Sequence, residues 1–178
     1  MEADLWSKIH NITTSRTDRD RAAAIVLNSP ESFNELTSLA FSRHKEKERT
    51  AFRVMELVCV QSPELLDGHL DVFISGISAL TASESRRPAA KICAIIAGHP
   101  DLKNSLKKEE QEKLAEVNFD WLIGKEKVAV KVFAMECLFQ LRDELPWIRE
   151  ALKPVLEQGI PAHTAAYLAR ARHILDKL

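Results

Sequence analysis

Arg87-Pro88-Ala89-Ala90-Lys91-Ile92-Cys93-Ala94-Ile95-Ile96 carries a pattern that returns along the chain: a basic residue, any residue, Ala, two more residues, then a branched aliphatic. It recurs at Arg49-Thr50-Ala51 to Val54 and at Lys127-Val128-Ala129 to Val132. Weaker copies stand at Arg21 to Val26 and at His163 to Leu168. Successive starts lie 28, 38, 40 and 36 residues apart, the range of repeats built from pairs of stacked helices. Each copy reads as the same helix of such a pair. At about 100° per residue, Ala51, Val54 and Val58 lie on the far side of their helix from Arg49 and Arg53, and Ala89, Ile92 and Ile96 repeat the arrangement.

The flanking sequence agrees with an all-α chain. Five glycines are few for 178 residues, and no stretch alternates β-branched residues between hairpin turns. A content of 46% hydrophobic and 29% charged residues suits a single globular domain spanning residues 1–178. With 25 basic and 26 acidic side chains the net charge is −1, which excludes a bulk field drawing the chain onto nucleic acid or an anionic membrane. Binding of either kind would have to come from a local patch. Met1 to Trp6 has neither the basic nor the apolar region of a signal peptide, and no window approaches the ~18 uninterrupted apolar residues of a membrane span. A cytoplasmic chain without membrane association is expected. Cys59, Cys93 and Cys137 fall inside apolar helical stretches and read as reduced core residues.

In chain order, the spacing predicts a short helix over about 2–12 and another from Ser15 or Thr17 to about Asn28. Next come Pro30 to Ala40 with Phe33, Leu36, Leu39 and Ala40 inward, and a helix over about 46–60. One helix is predicted from Ser62-Pro63-Glu64 to Leu80, its apolar positions Leu66, Leu70, Phe73, Ile74, Ile77 and Leu80 running through Gly68 and Gly76. Ser83 or Ser85 is expected to cap the central helix, with Pro88 tolerated in its first turn. A polar-fronted helix ending at Phe119-Asp120-Trp121-Leu122-Ile123 follows. The rest divides into a helix over about 125–141, a segment 147–156 that Pro154 should kink or split, and a last helix burying Ala165, Leu168, Ala169 and Ile174. About nine to eleven helices are expected.

The copies at Arg87–Cys93, Phe119–Ile123 with Lys127–Lys131, and Ala169-Arg170-Ala171-Arg172-His173-Ile174-Leu175 resemble HEAT-like helical repeat proteins, and a group of small bacterial proteins some of which are labelled adenylosuccinate lyase. The resemblance implies an α-α superhelix of helical hairpins. It does not extend to lyase chemistry, because the chain has no Ser-Ser-containing mobile loop of the kind true lyases share. Small HEAT-like proteins also include alkylpurine DNA glycosylases, and that likeness would cast Asp120-Trp121 as a carboxylate beside a stacking ring. The apolar grouping of Phe119, Trp121 and Leu122 is equally that of a helix anchoring its core side.

The most informative constellation is basic. Arg49 and Arg53, Arg87 and Lys91, and Lys127 and Lys131 are i, i+4 pairs, each sharing one helix face. Aligned on the inner layer of a solenoid, they would form a basic stripe for an acidic protein partner. Solvated side chains, or ion pairs with Glu46, Glu84 and Glu126 just upstream, are the other reading. On the stripe reading, replacing Arg53, Lys91 or Lys131 by Glu changes stability by under about 1 kcal/mol per site. The six histidines form no zinc-site spacing with the cysteines, and neither a phosphate-cradling glycine loop nor a nucleophile elbow is present. The sequence therefore nominates no catalytic residue, metal or cofactor, and leaves the oligomeric state open. The expectation is a noncatalytic interaction module, with nucleic-acid binding as the alternative.

Overall fold

A computed structural model describes residues 4–80 and 82–178, and among them there are helices and turns but no strand. The chain is all-α. Its contacts divide it into two compact units, Met1–Ile92 and Cys93–Leu178.

The first unit contains α1 (Leu5–Ile9), α2 (Arg16–Leu27), a 3₁₀ turn at Pro30–Ser32, α3 (Phe33–Ala40) and α4 (Lys45–Gln61). After these come 3₁₀ segments at Pro63–His69 and Ile77–Ala79 on either side of α5 (Leu70–Gly76), and the start of α6 (Ser83–Gly98). Helix α4 is its axis: it packs on α2, α3 and Pro63–His69, and Ala51, Phe52, Val54, Met55, Val58 and Cys59 are fully buried. Side chains at three- and four-residue spacing share a face, so these positions wrap the core side of one helix. Phe52 meets Phe41 and Phe73 with ring centroids 5.5 and 6.3 Å apart, the spacing at which aromatic pairs add to simple burial. Ser15 caps α2 as expected, its hydroxyl accepting from the Asp18 N–H at 3.2 Å.

The second unit holds α7 (Pro100–Ser105), α8 (Lys108–Ile123), α9 (Val128–Leu141), α10 (Trp147–Gly159), a 3₁₀ turn at Ile160–Ala162 and α11 (Ala165–Leu175). Here α9 is the axis and packs against α8, α10 and α11. The start of α8 is fixed by Glu110, whose carboxylate accepts from the Lys107 backbone N–H at 2.8 Å.

Four local expectations are corrected. The stretch from Pro63 to Ala79 is not one helix but a short α-helix between 3₁₀ segments. Its glycines each weaken an α-helix by about 1 kcal/mol relative to Ala, and the broken stretch still buries Leu66 and Ile77 on its 3₁₀ turns, Leu70, Phe73 and Ile74 on α5, and Leu80 just beyond. Pro88 lies in the second turn of α6, not the first, where it removes the hydrogen bond to the Glu84 carbonyl. The start of α6 is held instead by Glu48, which accepts from the Ala82 N–H at 2.9 Å, an anion placed where the helix dipole favours one. Pro154 does not split α10; it sits on the exposed side, where the carbonyl it leaves unpaired meets water.

The fourth correction concerns the phase of the repeat. Ala51, Val54, Ala89 and Ile92 are fully buried, but Ala129 is exposed and Val132 only half-buried. On α9 the core side is Val130, Ala134, Met135 and Leu138. The buried doublets Val54/Met55, Ile92/Cys93 and Ala134/Met135 set the intervals at 38 and 42 residues, so the third copy is read two positions, roughly 200°, out of register. In α11 likewise Tyr167, Ala171 and Ile174 are buried, while Ala165 and Ala169 are exposed.

The two glycines of the 63–79 stretch make a paired prediction. A Cβ on Gly76 would stand 2.4 Å from Cδ1 of Phe41, whereas one on Gly68 would meet nothing within 4 Å. Gly76→Ala should cost about 1–3 kcal/mol by overpacking, and Gly68→Ala should stabilise by about 0.4–1 kcal/mol through the unfolded chain. Urea melts of the two variants check both signs.

Candidate functional site

Glu56 on α4 is a buried carboxylate, 5% exposed, reached because it lies one position beyond the core residues Val54 and Met55. Arg87 Nη1 donates to its two oxygens at 3.0 and 2.8 Å, and Lys91 Nζ stands 3.1 Å from Oε1. Both cations come from one face of α6. Removing a carboxylate from water costs several kcal/mol unless it is paired and hydrogen-bonded, so Glu56 fixes two of the predicted stripe residues in structural roles. The second unit has a looser counterpart, a half-buried carboxylate with one cation. Glu136 stands 80 residues after Glu56, the interval set by the corrected phase; its Oε2 takes Arg170 Nη1 at 2.8 Å and its Oε1 takes Gln140 Nε2 at 2.9 Å.

Arg49 and Arg53 have a different environment. They lie one turn apart on α4, half-buried, and α2 packs beside them. The Arg53 guanidinium is held below its usual range, first because burial strips water from its charge and then because Arg49 is close. Glu84 opposes this, and Arg19 of α2 adds to it. Arg49 Nε is buried and has no hydrogen-bond partner among the described residues. Arg49 and Arg19 thus both act against the charge of Arg53, and Glu84 acts for it. Further along the same edge, Arg16, Asp20, Ala24 and Leu27 of α2 and Leu57, Val60 and Gln61 of α4 line an open groove of about 350 Å³. Val60 is 49% exposed.

In the second unit, Lys127 is exposed just before α9, while Lys131 is buried at 8% exposure. Of the six predicted cations, then, Arg87 and Lys91 meet on Glu56, Arg49 and Arg53 meet near Arg19, and the pair Lys127 and Lys131 splits between surface and interior. Arg19 was missed because its neighbours come from tertiary packing of α2 on α4, which no spacing along the chain records. The Glu56–Glu136 correspondence was legible in principle, hidden by the two-residue phase error.

Asp120 and Trp121 diverge: the carboxylate is exposed while the indole is 7% exposed. Among the described residues no three His, Cys, Asp or Glu side chains are gathered as metal ligands, and no helix is long and apolar enough to cross a membrane. Burial pushes all three thiols up, Cys93 to about 12.

The chain matches no protein-family profile, no curated protein and no solved structure.

Two outcomes follow from this geometry. Lys91→Glu sets a second carboxylate against buried Glu56 and should cost about 3 kcal/mol or more, correcting the sequence expectation for that site. Arg53→Glu should stay within about 1 kcal/mol. Chemical denaturation separates the two. With all three thiols buried and protonated, a thiol-reactive chromophore should label the native protein only as fast as it opens, and label all three promptly in denaturant; prompt native labelling would contradict their placement.

Proposed function

We propose that this chain is a noncatalytic helical-repeat interaction module that binds an acidic protein partner. The contact is made by Arg49 and Arg53, joined by Arg19, in the first unit. The observation that carries this reading is the Arg49 Nε, buried with no hydrogen-bond partner among the described residues one turn from half-buried Arg53, whose charge Arg49 and Arg19 oppose and Glu84 favours. Like charges brought together with too few counter-charges destabilise one another, and an incoming carboxylate relieves that cost. Arginine also offers planar, bidentate hydrogen bonding to carboxylates, which supports specificity as well as attraction. Arg87 and Lys91 are committed to Glu56 in this reading. Lys127, exposed in the second unit, is a separate peripheral contact, and Lys131 contributes packing. The adjoining groove with Val60 supplies apolar area beside the cations, as partner-binding surfaces combine the two. Reduced, buried thiols fit a cytoplasmic setting.

The test uses the intact chain as bait in native lysate. An acidic protein should co-purify, and recovery should fall with added salt and be lost with Arg49→Glu/Arg53→Glu. Lys127→Glu should weaken it only slightly. Enrichment of nucleic acid, glycosylase activity on alkylated duplex, or turnover of adenylosuccinate would each overturn this reading.

A further inference from the structure

The near-neutral chain segregates its charge onto different helices. On α4, Arg49, Arg53, Leu57 and Val60 follow one another at steps of four, four and three residues, which keeps them on one helix edge. On α8 the same steps give Glu112, Glu116, Asp120 and Ile123. Ile123 is 63% exposed and Val60 49%, two of the largest apolar side chains left open to solvent. Both helices therefore run from charged to apolar in the same direction, with opposite sign.

Beside the α8 edge, Phe119 stacks on Trp147 of α10 with centroids 5.6 Å apart, and the indole Nε1 donates to Glu112 Oε2 at 3.1 Å. The ring pair adds apolar surface along the edge between Glu112 and Phe119; Trp147 is itself 39% exposed. Glu116 and Asp120 have no ion pair among the described residues.

We propose that the acidic partner is a second copy of this chain, whose α8 edge docks parallel to the α4 edge so that Glu112 meets Arg49, Glu116 meets Arg53 and Ile123 meets Val60. This rests on the reading of Arg49 and Arg53 given above and names their ligand. Asp120 falls beside Leu57, where Phe119 supplies the apolar contact, and Asp120 also faces Arg53. In this register Glu46 falls opposite Glu109, a like-charged pair at the rim that weakens the contact. Because the two edges are different surfaces, the contact is heterologous, and copies add head to tail instead of closing by a two-fold axis.

Sedimentation velocity on the purified full chain tests this at low salt over a concentration series. The wild type should gain mass with concentration and lose the gain at high salt. Arg53→Glu alone and Glu116→Lys alone should each weaken association about tenfold or more, and an equimolar mixture of the two should recover it, since each then offers the other a complementary edge. Glu46→Lys should tighten it. If Arg53→Glu does not fold, Val60→Asp mixed with Ile123→Lys serves as the pair. A wild type that stays monomeric throughout, variants that associate as the wild type does, or a mixture that fails to recover would each overturn the proposal. A monomeric wild type that still captures a foreign acidic protein through Arg53 would sink this inference and leave the function proposed above standing; loss of both would sink both.

Discussion

Burial of the Glu56 carboxylate is the constraint from which the first unit's surface follows. Once Glu56 is inside, 5% exposed, cations must come to it, and α6 supplies Arg87 and Lys91 from one face. That fixes the rotation of α6 against α4 and turns Ala89, Ala90 and Ile92 into the core. It also leaves Arg49 and Arg53, two turns and one turn earlier on α4, without that carboxylate; Arg19 acts against the charge of Arg53 and Glu84 for it. A single buried charge therefore separates the basic residues that pair with Glu56 from those that do not, although Arg87 keeps a 45% exposed side chain while doing so. Such a pair gives orientation more than stability, because an apolar replacement of the whole set is often no worse.

The second unit has a looser version of this arrangement, with one cation on a half-buried carboxylate. Glu136 on α9 is satisfied by Arg170 of α11, and α9, like α4, is the helix its unit is packed around. The recurrence of a carboxylate, ion-paired to a later helix, on the axial helix of each unit is an internal likeness between the two units. Asn118 is fully buried in this unit; its amide donates to the Leu114 carbonyl at 2.8 Å.

Helix content and most boundaries were legible because capping and breaking residues mark them: Ser15 before α2, Pro30 before α3, Gly98-His99-Pro100 after α6. Rotation was legible where helices are two-faced. On α4, charged Arg49, Arg53 and Glu56 punctuate the apolar positions, so the core side was read correctly. In α9, Val128-Ala129-Val130-Lys131-Val132-Phe133-Ala134 is apolar nearly all round, and a motif with three defining positions fits it in two phases; Lys131 inside and Ala129 outside are the result. The basic pairs were visible along the chain, but their division between ion pair and surface depends on α6 and α2 reaching α4. Contacts between elements distant in sequence carry that information, and spacing within a helix does not.

The central claim is that Lys91 belongs to Glu56 and Arg53 does not, and a pair of double-mutant cycles on folding stability measures it directly. Glu56→Gln with Lys91→Met should show a coupling of about 1–3 kcal/mol, as residues sharing one buried ion pair do. Glu56→Gln with Arg53→Met should be additive within about 0.5 kcal/mol. Additivity in the first cycle, or strong coupling in the second, would contradict the account.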